Sequence, residues 1–316
     1  GGATETGNID SAELYDPVAN RWSAAGRLRV GRSNHTATLL PDGRVLLAGG
    51  VGKSEPVAAA EMYNPTTNTW TRSGDLVLAR GSHTATLMND GKVLVAGGGD
   101  GAVKQIASEV FDPGSGTWAS TGHLELSRGD HRATLMPDGR VLATGGGEGI
   151  ITEFYDPVTK AWEEADALEA RRERHTATLL GDGRLLITGG GQTEDSAELF
   201  DPNTGRWSPA GDMDLARTGH TATLLQDGVV LIVGGTSPEG PTDLVELYDP
   251  ATGRWHSRAG IGSWSTAGRM THARKDHTAT LLKNGTVLVT GGVARLPAET
   301  DGEVGQTVFL NSAETY

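Results

Sequence analysis

The chain has 316 residues, 36% of them hydrophobic, with 46 glycines, no cysteine and a formal net charge of −13. The lack of cysteine excludes disulfides, thiolate metal sites and thiol nucleophiles. The acidity disfavours nucleic acid and anionic membranes as partners, since binding to either is driven by Lys and Arg neutralising phosphate. No apolar run is long enough to form a membrane-spanning helix, so membrane insertion is not expected.

In chain order, Gly1-Gly2 reads as the tail of a repeat already under way, and a segment ahead of it is expected. Ala12-Glu13-Leu14-Tyr15 has strand composition, and Asp16-Pro17 turns the chain, proline presetting φ at the second turn position. Trp22 marks a following strand. Arg32 then precedes His35, which opens the strand His35-Thr36-Ala37-Thr38-Leu39-Leu40. Asp42-Gly43 predicts a tight hairpin, because such pairs tolerate positive φ at both central residues. Val45-Leu46-Leu47-Ala48 is the returning strand, closed by Gly49-Gly50. We call the strand opened by His A, its hairpin partner B, the Glu-x-Tyr strand C and the Trp strand D.

The whole phrase recurs. Strand A starts again at His83, His131, His175, His220 and His277, always at the same distance from its Gly-Gly pair. The C-strand aromatic is Tyr15, Tyr63, Phe111, Tyr155, Phe200, Tyr248 and Tyr316, and the D-strand residue is Trp22, Trp70, Trp118, Trp162, Trp207 and Trp255. A fixed period of this length means a repeat architecture. Four-stranded antiparallel meanders repeated in this way stack as a β-propeller. The repeats run over residues 1–34, 35–82, 83–130, 131–174, 175–219, 220–276 and 277–316, within one domain over 1–316. Strand A occurs six times and strand C seven times, which predicts seven blades, with six left open. Neither end completes the other, so a partner chain or missing segment is expected to cover the seam.

Gly-Gly, then Glu-x-Tyr/Phe-Asp-Pro, then a Trp resembles the kelch motif. The wording around His-Thr-Ala-Thr-Leu-Leu resembles bacterial kelch proteins related to the propeller of galactose oxidase. The resemblance implies an all-β kelch-type propeller, with ligands taken on the face that carries the B–C and D–A loops. It also implies an extracellular or cell-surface protein of bacterial origin. Galactose and glyoxal oxidases need a cysteine crosslinked to a copper-ligating tyrosine. This chain has no cysteine, and its five tyrosines all fill the C-strand slot, so copper-radical oxidase chemistry is excluded. No cofactor is expected.

Arg32, Arg80, Arg128, Arg172, Arg217 and Arg274 each precede strand A in an Arg-x-x-His phrase. A propeller would ring these guanidinium groups near the channel mouth, where they can hold a carboxylate or acidic peptide by bidentate bonds. The other reading pairs each with the repeated Glu of strand C (Glu13, Glu61, Glu109, Glu153, Glu198, Glu246, Glu314), since a buried carboxylate needs a cation. Both stay open. The six repeated histidines are read as hydrogen-bonded core residues, because equivalent positions around a hub are too far apart to share a metal.

Irregularity points to recognition, since loops carry function on a rigid scaffold. Residues 256–264 are an insertion that duplicates the Trp at Trp264, and the last B–C loop stretches over residues 293–312. Trp264 and Phe309 join the arginines as candidate ligand contacts. His256, His272 and Asp276, flanking the insertion, are a candidate metal set outside the repeat. With 7 Trp, 5 Tyr and 4 Phe nearly all in structural slots, few aromatic faces remain for sugar binding. No Gly-x-Ser-x-Gly, HExxH or phosphate-loop motif is present. The expected function is a non-catalytic scaffold binding a protein or acidic ligand. The alternative is a carbohydrate-active isomerase or lyase with its site at the channel mouth.

Overall fold

The computed structural model describes residues 1–99, 103–191, 195–257, 269–295 and 307–316. Every regular element among them is a β-strand. The chain divides into two compact units, Gly1–Ala165 and Asp166–Tyr316, each described by itself.

The first unit opens with a short ribbon, β1 (Gly2–Thr4) with β2 (Gly7–Ile9), and a two-stranded sheet of β3 (Ser11–Asp16) and β4 (Arg21–Arg27). A four-stranded meander follows: β5 (Thr36–Leu39), β6 (Val45–Ala48), β7 (Ala59–Asn64) and β8 (Thr69–Asp75). These are the A, B, C and D strands of the sequence phrase. Two more such meanders occupy Thr84–Leu87 to Thr117–Ser120 and Arg132–Leu135 to Ala161–Ala165. The second unit holds two meanders, Thr176–Leu179 to Arg206–Asp212 and Thr221–Leu224 to Arg254–Ser257. It ends in a three-stranded sheet of Thr278–Leu281, Val287–Thr290 and Ala313–Thr315.

The blade count expected from the C strands is corrected. Among the described residues six sheets contain the inner A and B strands, so there are six blades rather than seven. The extra C-strand copy, β3, pairs only with β4 and has no A–B hairpin beside it.

The hairpin turns also differ from expectation. Leu40 N donates to Arg44 O at 2.8 Å and Gly43 N to Leu40 O at 3.0 Å, which makes a three-residue loop. Only the glycine has positive φ (85°), not the preceding Asp42. A type I turn followed by one left-handed residue is the usual three-residue solution, and Asp42 Oδ1 braces it by accepting from Arg44 N at 3.0 Å.

Apolar alternation places the core between neighbouring blades. Leu46, Ala48 and Met62 of one blade pack with Val93, Val95 and Phe111 of the next. In the second unit Leu186, Ala197 and Leu199 meet Val230, Ile232 and Tyr248. Within each unit the D-strand indole reaches across the seam to the preceding sheet. Trp70 stacks tilted on Tyr63 with centroids 5.1 Å apart, and its Nε1–H donates to Ala25 O of the preceding sheet at 2.8 Å. Trp255 does the same to Tyr248 and Ala210 O.

Candidate functional site

The six repeated arginines are fully buried, at 0% exposure each. Arg32 shows what holds them. Its Nη2 donates to Glu61 Oε1 at 2.8 Å, its Nη1 to Gly49 O at 2.9 Å and to Ala59 O at 2.6 Å, and its Nε to Val30 O at 3.2 Å. The second oxygen of Glu61 accepts from Arg29 N at 2.9 Å. One guanidinium therefore ties the D–A loop, the end of strand B and the start of strand C to a strand-C carboxylate. Arg80 repeats this with Glu109, Arg128 with Glu153, Arg172 with Glu198, Arg217 with Glu246, and Arg274 with Glu314. A buried charge is tolerated when it is paired and its remaining donors are bonded. These arginines lie beneath the loop face and fasten its loops.

The histidines lie next to these clamps. His83 Nε2 is 2.9 Å from Thr36 Oγ1 of the preceding blade, and His131 Nε2 is 3.0 Å from Thr84 Oγ1. In the second unit His277 Nε2 is 3.0 Å from Thr221 Oγ1. Burial, reinforced by the neighbouring arginine, lowers His83 to about 3. Burial likewise lowers His35 and His277 to about 4. His83 and His277 are neutral links between blades.

The other candidates are dispersed. Trp264 and most of the 256–264 insertion lie outside the described residues, as does the middle of the 293–312 loop. Phe309 sits opposite Val293 in a ribbon of that loop, 39% exposed. His256 is opposite Leu247 on the outer strand. The Nδ1 of His272 lies 3.8 Å from Glu314 Oε1, and Asp276 is bonded to Arg174. Among the described residues no group of three or more His, Asp or Glu side chains is placed to hold a metal. Tyr15, Tyr63, Tyr155 and Tyr248 stack against the D-strand indoles Trp22, Trp70, Trp162 and Trp255. Without a cysteine, none of these tyrosines can form the crosslink that a copper-radical centre requires.

One set of residues escaped the sequence reading. The position just before each strand-A histidine is Asn34, Ser82 and Asp130 in the first unit, and Arg174, Gly219 and Asp276 in the second. All six have left-handed backbone, with φ between 51° and 61°. Their amides form a ladder from blade to blade. Ser82 N donates to Asn34 O at 3.0 Å and Asp130 N to Ser82 O at 3.1 Å. Gly219 N donates to Arg174 O and Asp276 N to Gly219 O, both at 3.0 Å. Non-glycine residues in this conformation cost on the order of 1–3 kcal/mol each and cluster at ligand clamps and switches.

Within the ladder backbone and neighbours are constant, while the side chain changes from blade to blade. Asn34, Asp130 and Asp276 are exposed. Arg174 Nη2 reaches over Gly219 to Asp276 Oδ1. A Cβ on Gly219 would stand 2.7 Å from that oxygen and 3.2 Å from Arg174 Nη2, so a larger residue would push these two side-chain ends from their present positions. The signal available in the sequence was variation between two invariant residues, Arg and His.

Two segments, residues 32–76 and 217–260, match the kelch motif. None of the curated proteins compared with the chain matches it. Among solved structures, a fungal alcohol oxidase of the AA5 family in complex with copper is similar, with a TM-score of 0.76 at 20% identity. The likeness covers 98% of this chain and 69% of the oxidase. At that identity it establishes the fold alone. The fold is that of a kelch-type β-propeller with four-stranded antiparallel blades.

Proposed function

We propose that the chain is a non-catalytic binding scaffold that recognises a protein or acidic ligand on the face of its B–C and D–A loops. The observation that carries this is the ladder of left-handed residues before strand A. There the backbone is fixed by amide bonds while the side chains differ: Asn34, Ser82 and Asp130, then Arg174, Gly219 and Asp276. A rigid frame with variable tips is the usual layout of a recognition surface. The repeated arginines serve this reading as supports. They set the loop positions from below while the ladder side chains make contact, with Phe309 extending the surface. A ligand carboxylate competes with Asp276 for the Arg174 guanidinium. An extracellular or cell-surface location in a bacterium is part of the same proposal and is supported by resemblance alone.

The test is a displayed peptide library selected on the intact chain and rescored on Asp130→Asn and Arg174→Gln. Enriched peptides should lose about tenfold or more in affinity on at least one variant, as expected for a central polar contact. Peptides that bind both variants as tightly as the parent overturn the proposal, as does a library that yields no binder. The competing reading, a carbohydrate-active isomerase or lyase, is supported by the likeness to an oxidase at the level of fold. Incubation with aldoses and with uronate polymers tests it, and turnover abolished by Arg174→Gln would favour it.

A further inference from the structure

In strand A the repeated histidine is followed by threonine at Thr36, Thr84, Thr176, Thr221 and Thr278. The third blade breaks the pattern with Arg132. The threonine has a task. Thr36 Oγ1 lies 2.9 Å from His83 Nε2 and Thr84 Oγ1 lies 3.0 Å from His131 Nε2, tying one blade to the next. The fourth blade shows what can relieve it of that task. There Thr188 of strand B stands opposite Thr176 and lies 2.8 Å from His220 Nε2, closer than Thr176 itself at 3.3 Å. The third blade has a threonine in the same strand-B place, Thr144, opposite Arg132 and 0% exposed. In the two blades before it that place holds Ala48 and Ala96. With a strand-B threonine there, the residue after the histidine need not be threonine.

The position of the guanidinium shows what the arginine adds. Strand A is the last strand of its sheet and pairs with strand B on one edge. Ala133 O accepts from Thr86 Oγ1 of the preceding blade at 3.3 Å, so it points away from strand B. Backbone carbonyls alternate along an extended chain, which puts His131 O on the same inner edge. Arg132 Nη1 donates to His131 O at 3.4 Å. The side chain therefore bends round to the inner edge of the sheet, half-buried and two residues along the chain from Asp130 of the ladder. A half-buried cation attracts an anion more strongly than one in open water, because the local dielectric is lower.

We infer that Arg132 is a ligand-contacting residue, which from the inner edge of strand A takes one carboxylate of an acidic ligand in its planar guanidinium fork. This rests on the reading of the chain as a scaffold for an acidic ligand, and adds the cation in the first unit that recognises it.

The test follows the anisotropy of a labelled oligoglutamate peptide with the intact chain. Saturable binding is expected. Arg132→Thr restores the residue of the other five copies. It should weaken the peptide by about tenfold or more, as for a lost charge-assisted hydrogen bond, without lowering the thermal midpoint. Arg132→Lys keeps the charge without the fork and should bind between the two. A peptide that does not saturate overturns the inference, and so does equal binding by Arg132→Thr. A variant that melts earlier yet binds like the parent also overturns it, since Arg132 would then be structural. If Arg174→Gln weakens the peptide and Arg132→Thr does not, this inference fails while the scaffold reading stands. Library peptides indifferent to Asp130→Asn and Arg174→Gln overturn the ladder reading whatever oligoglutamate does.

Discussion

Arg80 Nη2 and Glu109 Oε1 meet at 2.8 Å with neither side chain more than 1% exposed. The carboxylate also accepts from the amides of Val77 and Leu78, and the guanidinium donates to Gly97 O and Ala107 O. Breaking such a pair leaves one charge buried alone. Arg80→Ala is expected to cost about 3–5 kcal/mol of unfolding free energy. Replacing both partners with Arg80→Met and Glu109→Leu should cost less than Arg80→Ala alone. Urea unfolding of the two variants checks this. A double variant as unstable as the single one would mean that the ion pair is not the source of the loss.

Stability should fall as the solution is acidified below about pH 6.5. His83 has an unfolded value near 6.5 and is lowered to about 3 in the fold by burial. Below pH 6.5 the unfolded chain takes up a proton that the folded chain refuses, so the contribution is complete above 6.5 and is lost progressively towards 3. Each such histidine adds a slope of about 1.4 kcal/mol per pH unit. His35 and His277, at about 4, act over the upper part of the same window. Urea midpoints between pH 7 and pH 4 measure the slope, and His83→Gln should make it shallower by about one proton.

Gly219→Ala should disconnect Arg174 from Asp276. The new Cβ would collide with Asp276 Oδ1 and would sit on backbone at φ 61°. The strain is expected to cost about 1 kcal/mol. A double-mutant cycle of Arg174→Gln and Asp276→Asn should give about 0.2–1 kcal/mol of coupling, as for other exposed pairs. The same cycle built on Gly219→Ala should give none.

The D-strand indoles should respond unequally. Trp255 Nε1–H donates to Ala210 O at 2.8 Å, whereas Trp207 Nε1 is buried without a partner. Trp255→Phe therefore loses a hydrogen bond worth about 1 kcal/mol that Trp207→Phe does not lose. Thermal unfolding of the two variants compares them directly, and an equal effect would show that only ring packing matters.

Strands A to D were legible because their apolar and β-branched runs are short and their ends carry Gly-Gly, Asp-Gly and Asp-Pro. Turn geometry was less so, since Asp42-Gly43 fits either a two-residue or a three-residue loop and hydrogen bonding by Leu40 decides. Counting Tyr15 as a blade overcounted, because one C strand does not bring an inner hairpin with it. The pairing of Arg32 with Glu61 was among the readings, but spacing alone could not say whether the arginine faces solvent. The ladder through Ser82 and Gly219 went unseen because repetition draws attention to constancy, and those residues are defined by their differences.

The blade-to-blade fastenings are polar in the sense of direction. A threonine on one blade receives the imidazole of the next, as Thr36 receives His83, and a carbonyl of one sheet receives the indole of the next, as Ala25 receives Trp70. Within each unit a module thus carries the socket for its successor and the plug for its predecessor, as Thr84 and Thr221 do for His131 and His277. Such chains can lengthen or shorten by duplicating or deleting one genetic unit without inventing a new joint, which leaves only the tips to diverge.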